Sequence, residues 1–136
     1  MTPEPKRFTL SRAERLGNHQ VISNLFEKGT TLSSKGFIIK YLVAQQTELA
    51  SEFPVRICFV VPKKTFRKAV IRNKIRRLMK EQYRIQKHLL YDSCKNKSIT
   101  LSLLILYKMK TVISYQEMGE FITEGLTELV KKFEKV

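Results

Sequence analysis

The segment from residue 63 to residue 87 constrains this chain most, because it combines a helical apolar period with a large excess of positive charge. It holds eleven lysines and arginines and a single acid, Glu81, and so carries +10 of the net charge of +14. At 100° per residue, Ile71, Ile75, Leu78, Met79 and Ile85 fall on one arc. The opposite arc consists of Arg72, Asn73, Arg76, Arg77, Lys80, Arg84 and Lys87. The pattern predicts one long helix over residues 63–88 that packs on one face and presents cations on the other.

The spacing of these cations points to a partner. Solvated helix faces usually mix signs, since opposite charges at i,i+4 stabilise a helix by about 0.2–0.5 kcal/mol and like charges destabilise it by a similar amount. Here Arg72/Arg76, Arg76/Lys80 and Lys80/Arg84 are all like-charge pairs. A membrane-surface helix is also basic, but its apolar face must be free for lipid, whereas this one is expected to cover a sheet. The pattern therefore favours a nucleic acid over an idle surface or a membrane.

Composition limits the organisation of the chain. With 136 residues, 43% apolar and 28% charged, the sequence predicts one folded domain over residues 1–136 rather than a disordered basic tail. Two prolines in residues 1–10 predict an extended N-terminal segment. No apolar stretch has the length of a signal peptide core or a membrane span, so we expect a cytoplasmic protein without membrane contact.

Short β-branched and aromatic runs predict the strands. Residues 37–44 and 55–61 form two such runs, separated by a polar loop with Pro54, and are expected to pair antiparallel. Residues 99–107 are apolar on both faces, as in a central strand. Residues 92–98 are polar and predict a linker before it.

Two more helices complete the pattern. Residues between Gly17 and Gly29 carry apolar side chains at helical spacing, with Asn18 placed to cap the helix and Gly29 to end it. Ser114 precedes Glu117 at capping-box spacing, and a stripe of period 3.6 follows to Phe133. The predicted order is α-β-β-α-β-α, an α+β fold with helices packed on a small sheet.

The residues that hydrolytic chemistry needs are sparse. The chain has one aspartate, Asp92, and two isolated histidines, His19 and His88, and no carboxylate pair stands where the cations cluster. Cys58, inside an apolar run, is predicted to be core, and Cys94 to be incidental in the linker; the two lack zinc spacing. We therefore expect no catalytic residue in the protein and no metal or cofactor bound by the protein alone.

One stretch carries a family resemblance. Residues 69–78 read Ala-Val-Ile-Arg-Asn-Lys-Ile-Arg-Arg-Leu and follow Val-Pro-Lys-Lys at 61–64. Upstream lie Phe8-Thr9-Leu10, Arg15-Leu16 and Phe26-Glu27-Lys28-Gly29. Together with the element order, this resembles the bacterial ribonuclease P protein component over nearly the whole chain.

The resemblance implies a small, non-catalytic protein subunit of an endoribonuclease. Such a subunit binds a large catalytic RNA and the 5′ leader of precursor tRNA, while the RNA uses Mg²⁺ to release the mature 5′ end. The implied fold is ribosomal protein S5 domain 2-like, with a left-handed βαβ crossover through the basic helix. Periodicity alone would favour a right-handed crossover, as in about 98% of such units.

The resemblance also assigns residues. Arg72, Asn73, Lys74, Arg76 and Arg77 match the arginine-rich motif that contacts the RNA subunit, and Lys63 and Lys64 match the basic pair after the second strand. With the neighbouring cations, the full predicted RNA-binding set is Arg15, Lys63, Lys64, Arg67, Lys68, Arg72, Asn73, Lys74, Arg76, Arg77, Lys80 and Arg84. The leader cleft would be lined by Ile22, Phe26, Phe37 and Tyr41, whose aromatic rings suit unpaired bases.

This chain departs from the family pattern at three places. Lys74 stands where arginine is frequent, which keeps the charge and loses the bidentate fork. The turn at residues 65–68 is one residue longer than is usual in the family and lacks glycine. Ile22 occupies a position where an aromatic residue is common in the family.

Two other functions fit the charge. A structural RNA-binding protein of ribosomal type would share the fold style and have no role in cleavage. A DNA-binding regulator would need a dimer to contact paired half-sites. The preferred hypothesis is the RNA-binding subunit, monomeric when free.

Overall fold

Three helices and four strands form the part of the chain that the computed structural model describes, which is residues 10, 14–17, 19–45 and 54–134. In chain order they are α1 (His19–Lys28), β1 (Thr30–Ser34), β2 (Phe37–Gln45), β3 (Val55–Val60), α2 (Ala69–Asn96), β4 (Ile99–Tyr107) and α3 (Tyr115–Glu134). The predicted α+β class is confirmed. The predicted cap Asn18, and residues 1–9 of the segment expected to be extended, lie outside the described residues.

The sheet has the order β1-β2-β4-β3, with β4 near its centre as predicted. β4 pairs antiparallel with β2 and parallel with β3. The expected antiparallel pairing of residues 37–44 with residues 55–61 is therefore wrong, because β4 lies between the two strands. β4 has no charged side chain, in keeping with its contribution to apolar clusters on both faces of the sheet.

The first strand, β1, was missed in the predicted order α-β-β-α-β-α. Its sequence Thr-Thr-Leu-Ser-Ser has one large apolar side chain, which is too little to show a period of two. β1 forms a hairpin with β2 through Lys35 and Gly36, with Ser34 paired to Phe37. Gly36 has φ +86°, a left-handed conformation that suits glycine in a two-residue turn.

The long helix α2 begins and ends later than predicted. Residues 63–68 form a turn instead, in which Phe66 is buried against Tyr107 and donates its backbone N–H to the Pro62 carbonyl at 3.1 Å. At the other end the helix continues to Asn96, so the predicted linker over residues 92–98 is mostly helical. The continuation buries Leu90 and Cys94 on the same side as Met79.

The helices cover the two faces of the sheet unequally. α2 and α3 pack on one face over the main core, to which Ile39, Leu103 and Ile105 contribute from the strands. α1 packs on the other face over a smaller cluster centred on Leu25 and Leu104. Cys94 belongs to the main core and Cys58 is half-buried beside the smaller cluster, so the expectation that Cys94 is incidental is wrong.

Local chemistry explains where α3 begins. Ser114 Oγ accepts a hydrogen bond from the Glu117 backbone N–H at 3.1 Å, which confirms the predicted cap.

The parallel neighbours β3 and β4 are joined through α2, so they form a βαβ unit. The hand of this crossover and the ribosomal S5-like classification stay predictions. No helix within the described ranges is long and apolar enough to cross a membrane.

Candidate nucleic-acid interface

A groove of about 470 Å³ runs along the solvent side of α2. One wall is the N-terminal segment with Leu10 and Arg15, and the other wall is α2 itself. The α2 side chains that line it are Asn73, Arg76, Arg77, Lys80, Glu81 and Arg84. The structure thus brings together six of the twelve predicted RNA-binding residues: Arg15, Asn73, Arg76, Arg77, Lys80 and Arg84.

The groove is strongly positive. The described residues that line it include five cations and one carboxylate, and that carboxylate is engaged, because Arg84 Nη2 donates to Glu81 Oε2 at 2.8 Å. Partial burial lowers the pKa of Lys80 from its usual value, and the positive charges of Arg15 and Arg76 lower it further. Burial and the repulsion from neighbouring cations both disfavour the charged form of the Lys80 side chain. An anion in the groove would relieve that repulsion.

The side chains of Arg72 and Asn73 make hydrogen bonds to other groups of the protein. Arg72 Nη1 donates to the backbone carbonyls of Phe66 and Arg67, both at 2.8 Å, and so holds the turn that precedes α2. Asn73 Oδ1 accepts a hydrogen bond from Arg76 Nη2. Arg72 therefore has a structural task in addition to any contact with RNA.

The remaining predicted cations do not line the groove. Lys63 and Lys64 lie in the turn after β3, Arg67 and Lys68 lie just before α2, and Lys74 lies in its second turn. All five are exposed. They extend the positive surface from the groove towards the N-terminal end of α2.

A smaller recess of about 170 Å³ adjoins the groove. Cys58 lines it together with Arg15, Arg76 and Lys80. Partial burial raises the pKa of the Cys58 thiol, although the nearby charges of Lys80 and Arg76 oppose that shift. The thiol is therefore protonated at neutral pH.

The predicted leader cleft is divided by the sheet. Phe37 is 0% exposed and packs edge-on against Phe121 of α3, and Tyr41 packs against Phe133 of the same helix. Both rings lie in the main core, on the face away from α1, so their assignment to a cleft with Ile22 and Phe26 is wrong. The physical reason is the period of two along β2, which puts residues 37, 39 and 41 on one face and residues 38, 40 and 42 on the other.

On the α1 face, Phe26 is 43% exposed. Lys40 Nζ lies 5.5 Å from the centre of its ring and donates to the Phe26 carbonyl at 2.9 Å. Ile22 is half-buried on the smaller cluster, next to the partly buried side chains of Leu42, Val60 and Leu106. The sequence signal for this surface was Lys40 itself, a charged residue within an apolar strand, which marks the less buried face of β2.

Two positions on α2 differ from their predicted faces. Ile85, expected on the packing face, is exposed, while Lys87, expected among the solvent-facing cations, is only 5% exposed. Lys87 Nζ lies 2.6 Å from Oε2 of Glu14, a carboxylate that is 1% exposed. The Tyr91 hydroxyl donates to the same oxygen. Nothing in the local sequence pattern indicates this pair, because its members are 73 residues apart.

Metal ligands do not cluster in the described part of the chain. Nowhere in residues 10, 14–17, 19–45 and 54–134 do three or more His, Cys, Asp or Glu side chains stand close enough together to hold a metal ion. The described side chains that line the groove supply positive charge and hydrogen-bond donors, which suit an anion.

Comparison with known proteins points to one family. A family model described as Ribonuclease P matches residues 10–131. The ribonuclease P protein component of Chlorobaculum tepidum is 37% identical over 90 residues, 66% of this chain and 58% of that protein. The corresponding protein of Porphyromonas gingivalis is 38% identical over 98 residues, 70% of this chain and 67% of that protein. The match thus spans somewhat more than half the length of the first relative.

Solved structures share the fold. The RNase P protein of Staphylococcus aureus superposes with a TM-score of 0.62 at 18% identity, covering 90% of this chain and 99% of that one. The RNase P protein of Thermotoga maritima superposes with a TM-score of 0.59 at 19% identity, covering 85% and 96%. The four-stranded sheet with three helices therefore matches this structural group.

Proposed function

Because this chain belongs to the ribonuclease P protein component family, we propose that it acts as the protein subunit of a ribonucleoprotein endonuclease that matures the 5′ end of tRNA. It binds the catalytic RNA through the groove along α2 and the 5′ leader of precursor tRNA through the surface around α1. The RNA carries out the hydrolysis with Mg²⁺. The protein works in the cytoplasm and is monomeric before it meets the RNA.

The observation that carries the proposal is the charge of the groove. In the part of its lining that the structure describes, five cations stand beside one carboxylate that is already paired. Arranging them side by side is unfavourable for the free protein, since Coulomb repulsion in a partly buried site is screened less than in bulk water. A phosphate backbone supplies the missing negative charge and releases counterions as it binds.

The α1 surface suits the leader because it joins an exposed ring to a cation. Phe26 offers a face on which a base stacks, and Lys40 beside it supplies positive charge for the phosphate. Stacking on an aromatic ring is worth about 1–3 kcal/mol per base and tolerates any sequence. Ile22 and the half-buried side chains around it provide the apolar floor that Phe37 and Tyr41 do not.

The protein's role in this assembly is electrostatic and positional. The carboxylate among the described residues of the groove, Glu81, is paired with Arg84. The protein offsets the repulsion between precursor and catalytic RNA and increases affinity for substrates that still carry a leader. We expect it to lower the Mg²⁺ concentration that the RNA needs.

The test is cleavage of a 5′-extended precursor tRNA by the catalytic RNA at low Mg²⁺, with and without the protein. The decisive variant carries Arg76→Ala, Arg77→Ala and Lys80→Ala, which empties the groove of three cations and spares Arg72. We expect the wild-type protein to stimulate cleavage and the variant to give at least about tenfold less stimulation.

A matched control removes the same charge elsewhere. Lys95→Ala, Lys97→Ala and Lys132→Ala change three exposed lysines that lie outside the groove. This control should stimulate cleavage as wild type does. If wild type binds structured RNA tightly and leaves the cleavage rate unchanged, a structural RNA-binding protein of ribosomal type takes the place of the proposed subunit.

The leader contact has its own test. Phe26→Ala should reduce the preference for precursor over mature tRNA by about fivefold or more, the loss of one stacking contact. Tyr115→Ala is the control, because Tyr115 is a half-exposed ring at the start of α3, on an element that packs on the opposite face of the sheet. An equal preference in Phe26→Ala and wild type would remove this surface from the proposal.

A further inference from the structure

A buried charge network links the two walls of the α2 groove. Glu14 of the N-terminal segment is 1% exposed, and its Oε2 accepts a hydrogen bond from Lys87 Nζ of α2 at 2.6 Å. The Tyr91 hydroxyl, one turn further along α2, donates to the same oxygen. Lys87 Nζ also lies 5.4 Å from the centre of the Tyr91 ring. We call these three residues the Glu14 network.

Stability alone is a poor reason for such a network. Removing a carboxylate and an ammonium from water is expensive, and a buried ion pair often stabilises a fold no better than apolar residues of the same volume. What a buried pair does provide is a defined geometry, because moving either partner separates two opposite charges inside the protein. The Glu14 network therefore restricts where the N-terminal segment lies relative to α2.

The residue after Glu14 is the one that needs this restriction. Arg15 lines the groove opposite Arg76 and Lys80, and Leu16 donates its backbone N–H to the Ile57 carbonyl at 2.8 Å. The backbone at Arg15 is thus held on both sides. Glu14 is bound to α2 through Lys87 and Tyr91, and Leu16 is bound to β3 through Ile57. Without these two attachments, like-charge repulsion would favour movement of Arg15 away from α2.

We propose that Glu14, Lys87 and Tyr91 are positioning residues that hold Arg15 in the groove before RNA arrives. The role of Arg15 rests on the proposed function, whereas the positioning itself does not. Because the N-terminal segment is already ordered, binding does not include the entropic cost of ordering it. The same contact with Arg15 therefore gives a higher affinity. Lys87 in this arrangement is an internal counter-charge and does not contact RNA.

The first experiment measures the positioning without RNA. Hydrogen exchange of the Leu16 amide reports whether the segment stays on β3, and the Leu101 amide, which donates to the Pro54 carbonyl at 2.8 Å, is the control. In Glu14→Gln we expect Leu16 to exchange at least about tenfold faster and Leu101 to be unchanged. Lys87→Met combined with Glu14→Gln removes both charges, so it keeps the test valid if the single variant unfolds. Unchanged exchange at Leu16 in this double variant overturns the proposal.

The second experiment measures the consequence for binding to the catalytic RNA. Arg15→Ala should weaken binding by about threefold to tenfold in wild type and by less than about twofold in the Glu14→Gln/Lys87→Met background. Arg77→Ala is the control and should have the same effect in both backgrounds. A purely structural role for the network would leave the effect of Arg15→Ala undiminished in the double variant, and that result contradicts the proposal.

The two readouts separate the two proposals. If wild-type protein fails to bind the catalytic RNA, the proposed function fails, and exchange at Leu16 still decides whether the network positions Arg15. If binding is normal and exchange at Leu16 does not respond, the proposed function stands and the Glu14 network has no positioning role.

Discussion

Single cations of α2 differ in what they do, although the helical period assigns them to the same face. Arg77 is exposed in the groove, while Arg72 donates two hydrogen bonds to carbonyls of the preceding turn. Lys87 is buried against Glu14. A long basic side chain can satisfy an internal acceptor or an external anion, and the choice depends on which acceptors the fold places within reach.

This difference is measurable for Arg72. Arg72→Ala should lower the free energy of unfolding by about 1–3 kcal/mol, because two carbonyls lose a charged donor. Arg77→Ala, at an exposed position, should change it by less than about 0.5 kcal/mol and weaken RNA binding instead. Urea unfolding of the two variants checks both values. Equal stability in the two variants would mean that Arg72 does not hold the turn.

The cysteines also differ from their sequence assignment. Burial raises the pKa of the Cys94 thiol from 9.0 to about 11, so at pH 8 the folded protein holds about a hundredfold less thiolate there than an exposed cysteine does. Alkylation of Cys94 by iodoacetamide should be at least about a hundredfold slower in the folded protein than in urea. The rate should rise about tenfold per pH unit towards pH 11, while the fold persists, since only the thiolate reacts. Mass spectrometry of the labelled peptide measures it, and equal rates in both states would contradict the burial.

Among the elements, those with a strong local pattern were predicted best. β4 was predicted over its observed residues 99–107, and α3 begins at its predicted cap, because uninterrupted apolar character and a capping serine are local signals. β1 was missed, since its five residues gain their stability from pairing with β2 and carry little pattern of their own. The end of α2 was misplaced because burial of Cys94, a tertiary effect, overrides the weak helix propensity around Asp92.

The β1–β2 hairpin depends on the glycine at its turn. At Gly36 a Cβ would stand 2.5 Å from Cδ2 of Phe121, and φ is +86°. Gly36→Ala should therefore lower the free energy of unfolding by about 1–3 kcal/mol, from backbone strain and displacement of the ring. Gly17→Ala is the control, because nothing lies within 4 Å of the corresponding Cβ. Similar unfolding midpoints for the two variants would show that the turn tolerates a side chain.

Taken as a whole, the molecule carries a net charge of +14 in 136 residues. Self-repulsion of that size destabilises the free protein, and the groove concentrates it. The same charge attracts RNA. Stability and RNA binding should therefore respond to salt in opposite directions.

Raising NaCl from about 0.05 M to about 0.5 M should increase the Tm of the free protein by a few degrees, since screening reduces repulsion between cations. Over a similar range, the logarithm of the RNA association constant should fall with the logarithm of salt at a slope near −5, if about six phosphates are neutralised. Calorimetry and filter binding measure the two quantities. A Tm that falls with salt, or a slope near zero, would contradict the electrostatic account.

Three properties of this protein followed from local sequence alone: its α+β class, the basic helix and the family resemblance. They depend on periodicity, charge and a contiguous motif, and each of these signals is contained within a short stretch of neighbouring residues. Three others arose only on folding: the place of β4 between β2 and β3, the burial of Phe37 and Tyr41 under α3, and the pairing of Glu14 with Lys87. Each joins residues far apart in the chain, and such contacts form because they bury surface or pair charges in three dimensions, which no window of neighbouring residues encodes.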